Sequence, residues 1–219
     1  MKILASADLH GYYDVYRWIV DIAQKNEVDA VVLAGDLLGC PDDSLPIEEA
    51  QMADAERVLS IVEPLQAPVF YIMGNDDMIE LPPSNSRCQS VQGKRVDFGG
   101  FNFVGYQYTL PFMGGIFEKP EEAIGADLLK LEPLLNNRTI LVTHGPAKGI
   151  RDIGLFGLHA GSESLWKLLD RRPVLVHIHG HIHEDFGRSD FHFNVASAGA
   201  KQAMIIDLST MEHEVIQEM

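Results

Sequence analysis

Cysteines, basic residues and long apolar runs are scarce in this chain of 219 residues. Its two cysteines, Cys40 and Cys88, have no CxxC spacing, which argues against a disulfide framework and against a thiolate metal site. No stretch approaches the roughly 20 apolar residues of a membrane span. The opening residues MKILASADLH carry one lysine and only a short apolar stretch, too little for a secretory signal. We therefore expect a cytoplasmic protein that does not span a membrane.

The excess of acidic residues limits the kinds of molecule that the protein surface can bind. Lysine and arginine together number 17 against 32 acidic residues, so the formal net charge is −15. Such a surface repels a phosphate backbone and disfavours broad nucleic-acid binding, although a bound metal ion would still attract a small phosphate. The 46% of hydrophobic and 22% of charged residues are typical of a globular protein. The length predicts one domain over residues 1–219.

The first 75 residues have the pattern of a βαβαβ unit. Three unbroken apolar runs, KILASA, DAVVLAG and PVFYIMG, are typical of parallel strands that are covered on both faces. Helical spacing of apolar residues predicts helices over 14–26, with Asp14 as the N-cap, and over 47–62.

The remainder predicts a second sheet. The runs KRVDF and FNFVGYQY, on either side of two glycines, indicate an antiparallel hairpin. A helix is expected over 121–135, interrupted near Gly125 and Pro133, and another in GSESLWKLLD with Ser162 as its cap. The further strands are TILVT, VLVHIHG, FHFNVA, KQAMIIDL and EHEVIQ. Helices interleaved with two groups of strands predict an α/β sandwich of two sheets flanked by helices.

Five of these strands end in side chains that can bind a metal ion. The residues concerned are Asp8 and His10, Asp36, Asn75, His144, and His181 with His183. Ligand sites in α/β sheets form at the carboxyl ends of strands, so we expect these side chains to meet. Aspartate, asparagine and histidine suit divalent ions, and the pattern therefore predicts a two-metal hydrolytic centre.

The predicted division gives each metal four ligands. One ion takes Asp8, His10, Asp36 and His183, and the other takes Asp36, Asn75, His144 and His181, with Asp36 bridging. Two divalent ions and two carboxylates leave a net charge of about +2, which favours a bridging hydroxide and an anionic phosphate.

The same blocks carry a family resemblance. DLH at 8–10, GD at 35–36, GN at 74–75, TH at 143–144 and GHIH at 180–183 resemble the five-block signature of calcineurin-like metallophosphoesterases, in the family's order. The later segments HGPAKG and FNVASAG make the chain similar to small bacterial and archaeal phosphodiesterases of that family.

The resemblance implies a four-layer α/β/β/α sandwich with two mixed sheets. It also implies a dinuclear centre of manganese, iron, zinc or nickel, of which we expect manganese, and hydrolysis of a small phosphate ester, foremost a phosphodiester, by metal-activated water. The seven ligands carry over as assigned above. Two alternatives stay open: a metal-binding regulatory protein with weak or no catalysis, and a nuclease. The physiological substrate and the oligomeric state also stay open.

One position departs from the family pattern. Many members have a histidine after the asparagine of the third block, whereas this chain has Asp76 and then Asp77. An ionised aspartate does not protonate a leaving group. We therefore expect Asp36, Asn75, Asp76 and His144 to form the reacting centre, with weak help to the leaving group.

Several other residues invite a role. His177 and His179 lie inside a strand and are interpreted as core or supporting histidines, and His192 as a strand residue. His159, in a glycine-rich loop, either lines a substrate cleft or is an ordinary loop residue. Lys148 and Arg151 are the basic residues nearest a block, with exposed loop charge as the simpler interpretation. The stretch YTLPFMGGIF at 108–117 is either an interface or buried.

Overall fold

Two six-stranded mixed sheets pack face to face, with two helices on the outer face of each. The structure is a computed structural model that describes residues 1–40, 42, 44–83 and 87–218. The four layers confirm the predicted α/β/β/α sandwich. No helix in the described ranges is long and apolar enough to cross a membrane.

Sheet one contains the βαβαβ unit. Its order is β12-β11-β1-β2-β3-β4, with β1 to β4 parallel and β11 and β12 antiparallel to their neighbours. The strands are β1 (Lys2–Ser6), β2 (Ala30–Ala34), β3 (Val69–Ile72), β4 (Cys88–Ser90), β11 (Gln202–Asp207) and β12 (His213–Gln217). All were predicted except the short β4.

Sheet two has the order β5-β6-β7-β8-β10-β9, and its four central strands are parallel. The strands are β5 (Arg95–Phe98), β6 (Phe101–Tyr106), β7 (Thr139–Thr143), β8 (Val176–His179), β9 (Gly187–Ser189) and β10 (His192–Asn194). The predicted antiparallel hairpin of β5 and β6 is confirmed. Strand β9, three residues long, was not predicted.

The helices confirm most of the predicted bounds, but the predicted interruption near Gly125 was wrong, since the third helix continues through it and ends at Leu131, before a short 3-10 turn that contains Pro133. They are α1 (Tyr13–Lys25), α2 (Ile47–Val62), α3 (Glu121–Leu131) and α4 (Glu163–Arg171). Asp14 as the N-cap of α1 was wrong: the cap is Tyr12, and Asp14 lies in the first turn, where a negative charge complements the helix dipole. Ser162 does cap α4, because its hydroxyl accepts the N–H of Leu165.

The core between the sheets is apolar and closely packed. The rings of Phe70 on β3 and Phe103 on β6 stack across it with centroids 4.2 Å apart. Alanines at positions 5 and 34 and valines at 32 and 142 are almost completely buried in the same layer. Burial on both faces explains why these strands consist of unbroken apolar runs.

A buried histidine network lies inside sheet two. The Thr143 hydroxyl donates to the Gly145 carbonyl, so it must accept from His177 Nε2, 2.8 Å away. His177 Nδ1 is then an acceptor, and His192 Nδ1, 3.0 Å away, is its donor. In this arrangement each ring carries one proton, on Nε2 in His177 and on Nδ1 in His192, and both rings are neutral. Burial lowers the pKa of His177 well below its ordinary value and that of His192 to about 4. The interpretation of His177 as a core histidine agrees with this geometry.

The network predicts acid sensitivity. An unfolded histidine takes up a proton near pH 6.5, whereas folded His192 resists protonation down to about pH 4. The free energy of unfolding therefore decreases as the pH is lowered from 6.5 to about 4. We expect His192→Asn, whose amide can still donate to His177, to reduce that loss by about 2 kcal/mol. Urea unfolding at pH 7 and pH 4.5 measures it, and we expect a smaller change in exposed His213→Asn, where burial and Arg188 also lower the pKa. Parallel pH curves for the wild type and His192→Asn would contradict the prediction.

Candidate metal centre

The seven candidate ligands lie together at one edge of the sandwich. Sheet one contributes Asp8 and His10 after β1, Asp36 after β2 and Asn75 after β3, and sheet two contributes His144 after β7 and His181 and His183 after β8. Within each sheet these strands are parallel neighbours, so their carboxyl ends share one edge. Packing of the sheets then brings the two sets of side chains together.

The donor atoms form two groups, in each of which they lie within 4.8 Å of one another: Asp8, His10 and His183, and Asp36, His144 and His181. The Asn75 amide oxygen lies 3.0 Å from His144 Nε2 and so extends the second group. Asp36 also lies within 4.8 Å of donors of His10 and Asp76, which links the two groups. The two groups bring together the side chains that the sequence assigns to the two ions, with Asp36 at the junction, and their roles as ligands stay a prediction.

Hydrogen bonds orient the first group. Asp8 is completely buried, and its carboxylate accepts the backbone N–H of His181 at 3.0 and 3.2 Å. His183 Nε2 lies 3.1 Å from the same carboxylate. This contact with Asp8 raises the pKa of His183, whereas burial would lower it. Asp8 therefore fixes the loop that carries both histidines of the last block.

His144 in the second group is oriented by the backbone. Its Nδ1 lies 2.8 Å from the carbonyl of Ala34 and donates to it. The Nε2 atom then faces Asp36 Oδ2 at 3.3 Å and the oxygen of Asn75 at 3.0 Å. A backbone acceptor at one ring nitrogen is the usual arrangement that leaves the other nitrogen for a metal ion.

The charges of this group suit a cation. Burial would raise the pKa of Asp36, but His144 and His10 outweigh it and hold that pKa well below its ordinary value. Burial would lower the pKa of His144, but Asp36 beside it raises that pKa to about 10. Burial lowers the pKa of His181 to about 4, so its ring is neutral at pH 7. The proton between Asp36 and His144 thus lies where a cation would meet both donors.

The backbone is strained at four of the seven residues. Asp8, His10, Asp36 and His181 have φ values of 58°, 44°, 51° and 70°. This left-handed region is unfavourable for residues other than glycine, and such strain concentrates at functional sites. The loops therefore adopt a less stable backbone conformation that fixes the directions of these donor side chains.

The two aspartates after Asn75 have different surroundings. Asp76 is half-exposed, 3.6 Å from His10 Nδ1, and burial together with the charge of Asp36 raises its pKa. Asp77 is completely buried and accepts the backbone N–H groups of residues 37, 38 and 74 at 2.8 to 3.2 Å. Burial and Asp36 raise the pKa of Asp77 to about 8, against these three N–H groups, which lower it. Asp77 ties the second block to the third, a role that was not predicted.

A cleft of about 470 Å³ opens over the donor groups. His10, Asp36 and His181 line its floor, and the lining also includes Phe112, Leu155 and Leu158. Neither Lys148 nor Arg151 lines it: Lys148 pairs with Glu163 at 3.5 Å, and Arg151 pairs with Asp185 at 3.0 Å. Among the residues that the structure describes, those lining the cleft include no lysine or arginine.

His159 is among the lining residues. Its Nδ1 lies 2.7 Å from Oδ1 of Asp152, which is completely buried and accepts the N–H groups of Gly149 and Gly161 with its other oxygen. Within the described ranges, Nε2 of His159 has no hydrogen-bond partner. The sequence offered His159 as a cleft residue, but its buried partner Asp152 was not predicted, because only the folded loop brings them together.

The donor atoms of the two groups and the buried carboxylates of Asp8 and Asp36 fit two divalent ions. The fold and the site together define an α/β/β/α sandwich with a candidate metal centre at the ends of its strands. Known proteins share these features.

A model of the calcineurin-like phosphoesterase family matches residues 1–185. The chain belongs to this family of metal-dependent phosphoester hydrolases. The match spans all seven candidate ligands.

Solved structures show the same fold. The TT1561 protein of Thermus thermophilus has a TM-score of 0.74 at 16% identity, with 99% of this chain and 98% of that chain covered. A dimetal phosphatase from Danio rerio has a TM-score of 0.60 at 12% identity, with coverage of 99% and 98%. A structure described as an archaeal phosphodiesterase has a TM-score of 0.50 at 16% identity, with coverage of 99% of each chain.

One curated relative is similar over a short segment. A probable rhamnogalacturonate lyase C of Emericella nidulans is 34% identical over 84 residues. The segment is 38% of this chain and 8% of that protein, so this chain spans a small fraction of the relative's length.

Proposed function

We propose that the protein is a phosphodiesterase that works with two divalent ions, of which manganese is the first choice. The observation that carries the proposal is the pair of donor groups that meet at Asp36 on the floor of an open cleft. Asp8, His10, Asp36 and His183 would hold one ion, and Asp36, Asn75, His144 and His181 the other. We also propose that residues 1–219 act as one domain and that the enzyme is cytoplasmic.

Two bound ions would supply Lewis acidity and a water of lowered pKa, which is a nucleophile at neutral pH. The chain's own groups prepare the site for this. Asp36 joins the two donor groups, His144 is fixed through Ala34, and the Asp8 carboxylate aligns the last block. The Asn75 amide offers its oxygen to the floor and an N–H to Asp76, at 3.1 Å.

The charges around the cleft favour a diester over a monoester. A diester carries one negative charge, whereas a monoester carries up to two near neutral pH. Asp76 and Glu184 both line the cleft, in addition to the candidate ligand Asp36. The two ions and the ligand carboxylates leave about +2, which Asp76 and Glu184 offset, and the described lining has no basic residue to pair with the second charge of a monoester, so the site suits the singly charged diester.

Purified protein titrated with Mn²⁺ and assayed on bis(4-nitrophenyl) phosphate and 4-nitrophenyl phosphate tests the function. We expect faster turnover of the diester. Metal content measured on the same samples should approach two ions per chain. No turnover of either ester with any divalent ion would refute the proposal, and bound metal without turnover would support a regulatory protein instead.

The cleft lining disfavours a nuclease. Proteins that follow a nucleic-acid backbone use lysine and arginine to neutralise phosphates, and the described lining has neither. Cleavage of an oligonucleotide at a rate close to that of a small diester would favour the nuclease.

We further propose that His159 gives the proton to the leaving group, in the place of the histidine that the resemblance leads one to expect at Asp76. Asp152 holds Nδ1, so Nε2 is the nitrogen left for a substrate in the cleft. The expectation of weak help to the leaving group considered Asp76 alone. A proton donor on a separate loop would remove that weakness.

The variant His159→Asn tests this role, because its amide can still donate to Asp152 while Nε2 is lost. We expect kcat/KM for a diester with a phenol leaving group to fall by about 10²-fold, and that for a 4-nitrophenol leaving group by less than about tenfold. Exposed His213→Asn is the matched control. Equal losses for both leaving groups would show that His159 does not donate the proton.

A further inference from the structure

The rim of the cleft is unusually apolar for a surface that is open to water. Phe112, Met113, Leu155 and Leu158 all line the cleft and are 65%, 76%, 63% and 67% exposed. They belong to two separate loops, which lie more than 40 positions apart in the sequence. Large apolar side chains grouped beside a polar floor are typical of a ligand site.

The loop with Phe112 is held in place by an acidic side chain. The carboxylate of Glu118 accepts the backbone N–H groups of Phe112, Met113 and Gly114 at 2.8 to 2.9 Å. The Phe112 ring meets the ring of His181 edge to face, with centroids 5.6 Å apart. An apolar ring is therefore fixed directly beside a candidate metal ligand.

The loop with Leu155 and Leu158 is also held in place, by backbone hydrogen bonds within its turn. The N–H of Gly154 donates to the carbonyl of Leu158 at 3.0 Å, and the N–H of Gly157 donates to the carbonyl of Gly154 at 3.1 Å. The N–H of Ile153 is held by Asp185 at 3.3 Å. Both loops thus present leucine, methionine and phenylalanine to water on a hydrogen-bonded backbone. Preorganised apolar surface reduces the cost of binding an apolar ligand.

The charge and polarity of a ligand decide which chemical groups the cleft can accommodate. A ligand with a second phosphate would bring further negative charge to a cleft whose lining already contains Asp76 and Glu184 beside the candidate ligand Asp36, and a nucleoside would bring polar groups that the apolar rim does not match. An aryl or alkyl group brings none, and its area can be buried against the leucines and Phe112. The floor suits one phosphate, and the rim suits an uncharged apolar group attached to it.

We propose that the substrates of this cleft are phosphodiesters with an apolar organic group, an aryl ring or an alkyl chain, that packs against Phe112, Met113, Leu155 and Leu158. The inference rests on the proposed phosphodiesterase function and adds the substrate class. The occupant of the rim is the substrate itself, since the apolar surface is continuous with the candidate metal centre in one cleft of about 470 Å³.

A series with a constant leaving group tests the proposal. The manganese-loaded enzyme is assayed on methyl, butyl and hexyl 4-nitrophenyl phosphate, and on thymidine 5′-(4-nitrophenyl phosphate) as the nucleotide diester. Each fully buried methylene adds about fourfold to binding. Because the cleft is open, we expect kcat/KM for the hexyl ester to exceed that for the methyl ester by at least about tenfold, and the thymidine ester to gain less.

The rim variants are Leu155→Ser and Leu158→Ser, singly and together, with Leu129→Ser on α3 as the control, since Leu129 is 62% exposed and does not line the cleft. We expect the double variant to reduce the ratio of kcat/KM for the hexyl ester to that for the methyl ester below about threefold. The control should keep the full preference. All the substituted side chains are exposed, so the variants are expected to fold.

Calorimetric binding of hexylphosphonate and methylphosphonate to the same manganese-loaded proteins gives a readout that does not depend on turnover. Tighter binding of hexylphosphonate, lost in the double variant, supports the apolar rim even if no ester is hydrolysed, in which case the phosphodiesterase function alone fails. A flat alkyl series, or a hexyl preference that survives in the double variant, overturns the proposal. A change of molecular mass in the double variant without a change in alkyl preference also overturns it and identifies the rim as a contact between copies.

Discussion

Replacing Asp36 by asparagine is expected to lower kcat/KM for a phosphodiester by at least about 10³-fold, which corresponds to about 4 kcal/mol of transition-state stabilisation. Asp36 is the junction of the two donor groups, so the change weakens both proposed metal sites. An amide oxygen can still accept the N–H of Asp76, which donates to Asp36 Oδ1 at 2.9 Å. The loop therefore keeps its anchor and loses a charge.

The measurements are turnover, metal content and the circular dichroism of the folded chain. We expect the content to fall below two ions per chain, while the spectrum stays that of the wild type. Asp127→Asn is the control, because Asp127 lies on α3 and pairs with Lys119 and Lys130 away from the cleft. Wild-type turnover in Asp36→Asn would exclude Asp36 as a bridging ligand.

The second large effect is expected at Gly74, which precedes Asn75. A Cβ at this position would overlap Oδ1 of Asp36 and approach Cε1 of His144 to 2.7 Å. We expect Gly74→Ala to displace both donors and to lower kcat/KM by about 10²-fold or more, since misplacement by about 1 Å has effects of that size.

The matched control for Gly74→Ala is Gly154→Ala. Gly154 lines the same cleft, but a Cβ there has no neighbour closer than Ile182 Cδ1 at 3.9 Å. Activity in Gly154→Ala should stay within about threefold of the wild type. If Gly74→Ala were equally active, the donors would not depend on the close approach of backbone at Gly74.

Sequence patterns predicted the strands that bury both faces, because an unbroken run such as AVVLA in β2 has few other interpretations. They missed β4 and β9, whose residues CQS and GRS have neither an apolar run nor alternation. The prediction that Asp14 caps α1 was wrong for a different reason. Aspartate is favoured both at the cap and in the first turn, and the sequence does not separate the two.

The candidate ligands were predictable because each follows a recognisable strand, and the parallel order of strands brings such positions to one edge. Asp77 and Asp152 were not, because their partners are backbone N–H groups whose directions depend on how the loops fold. The apolar rim was missed for a similar reason. The sequence predicts either an interface or a buried segment for the stretch that contains Phe112, and only the fold places it beside His181.

The division of the ligands between the sheets has a consequence for how the protein unfolds. Elsewhere the sheets meet mainly through apolar side chains, whose contacts have no fixed direction. At the candidate centre, directional bonds cross the gap: His181 and His183 of sheet two meet Asp8 of sheet one, and His144 meets Ala34. Ions held between those groups would act as crosslinks, so that neither sheet could open without the other. With such ions bound, the cooperativity of unfolding between the two sheets would be set largely at the edge where the chemistry is proposed to occur.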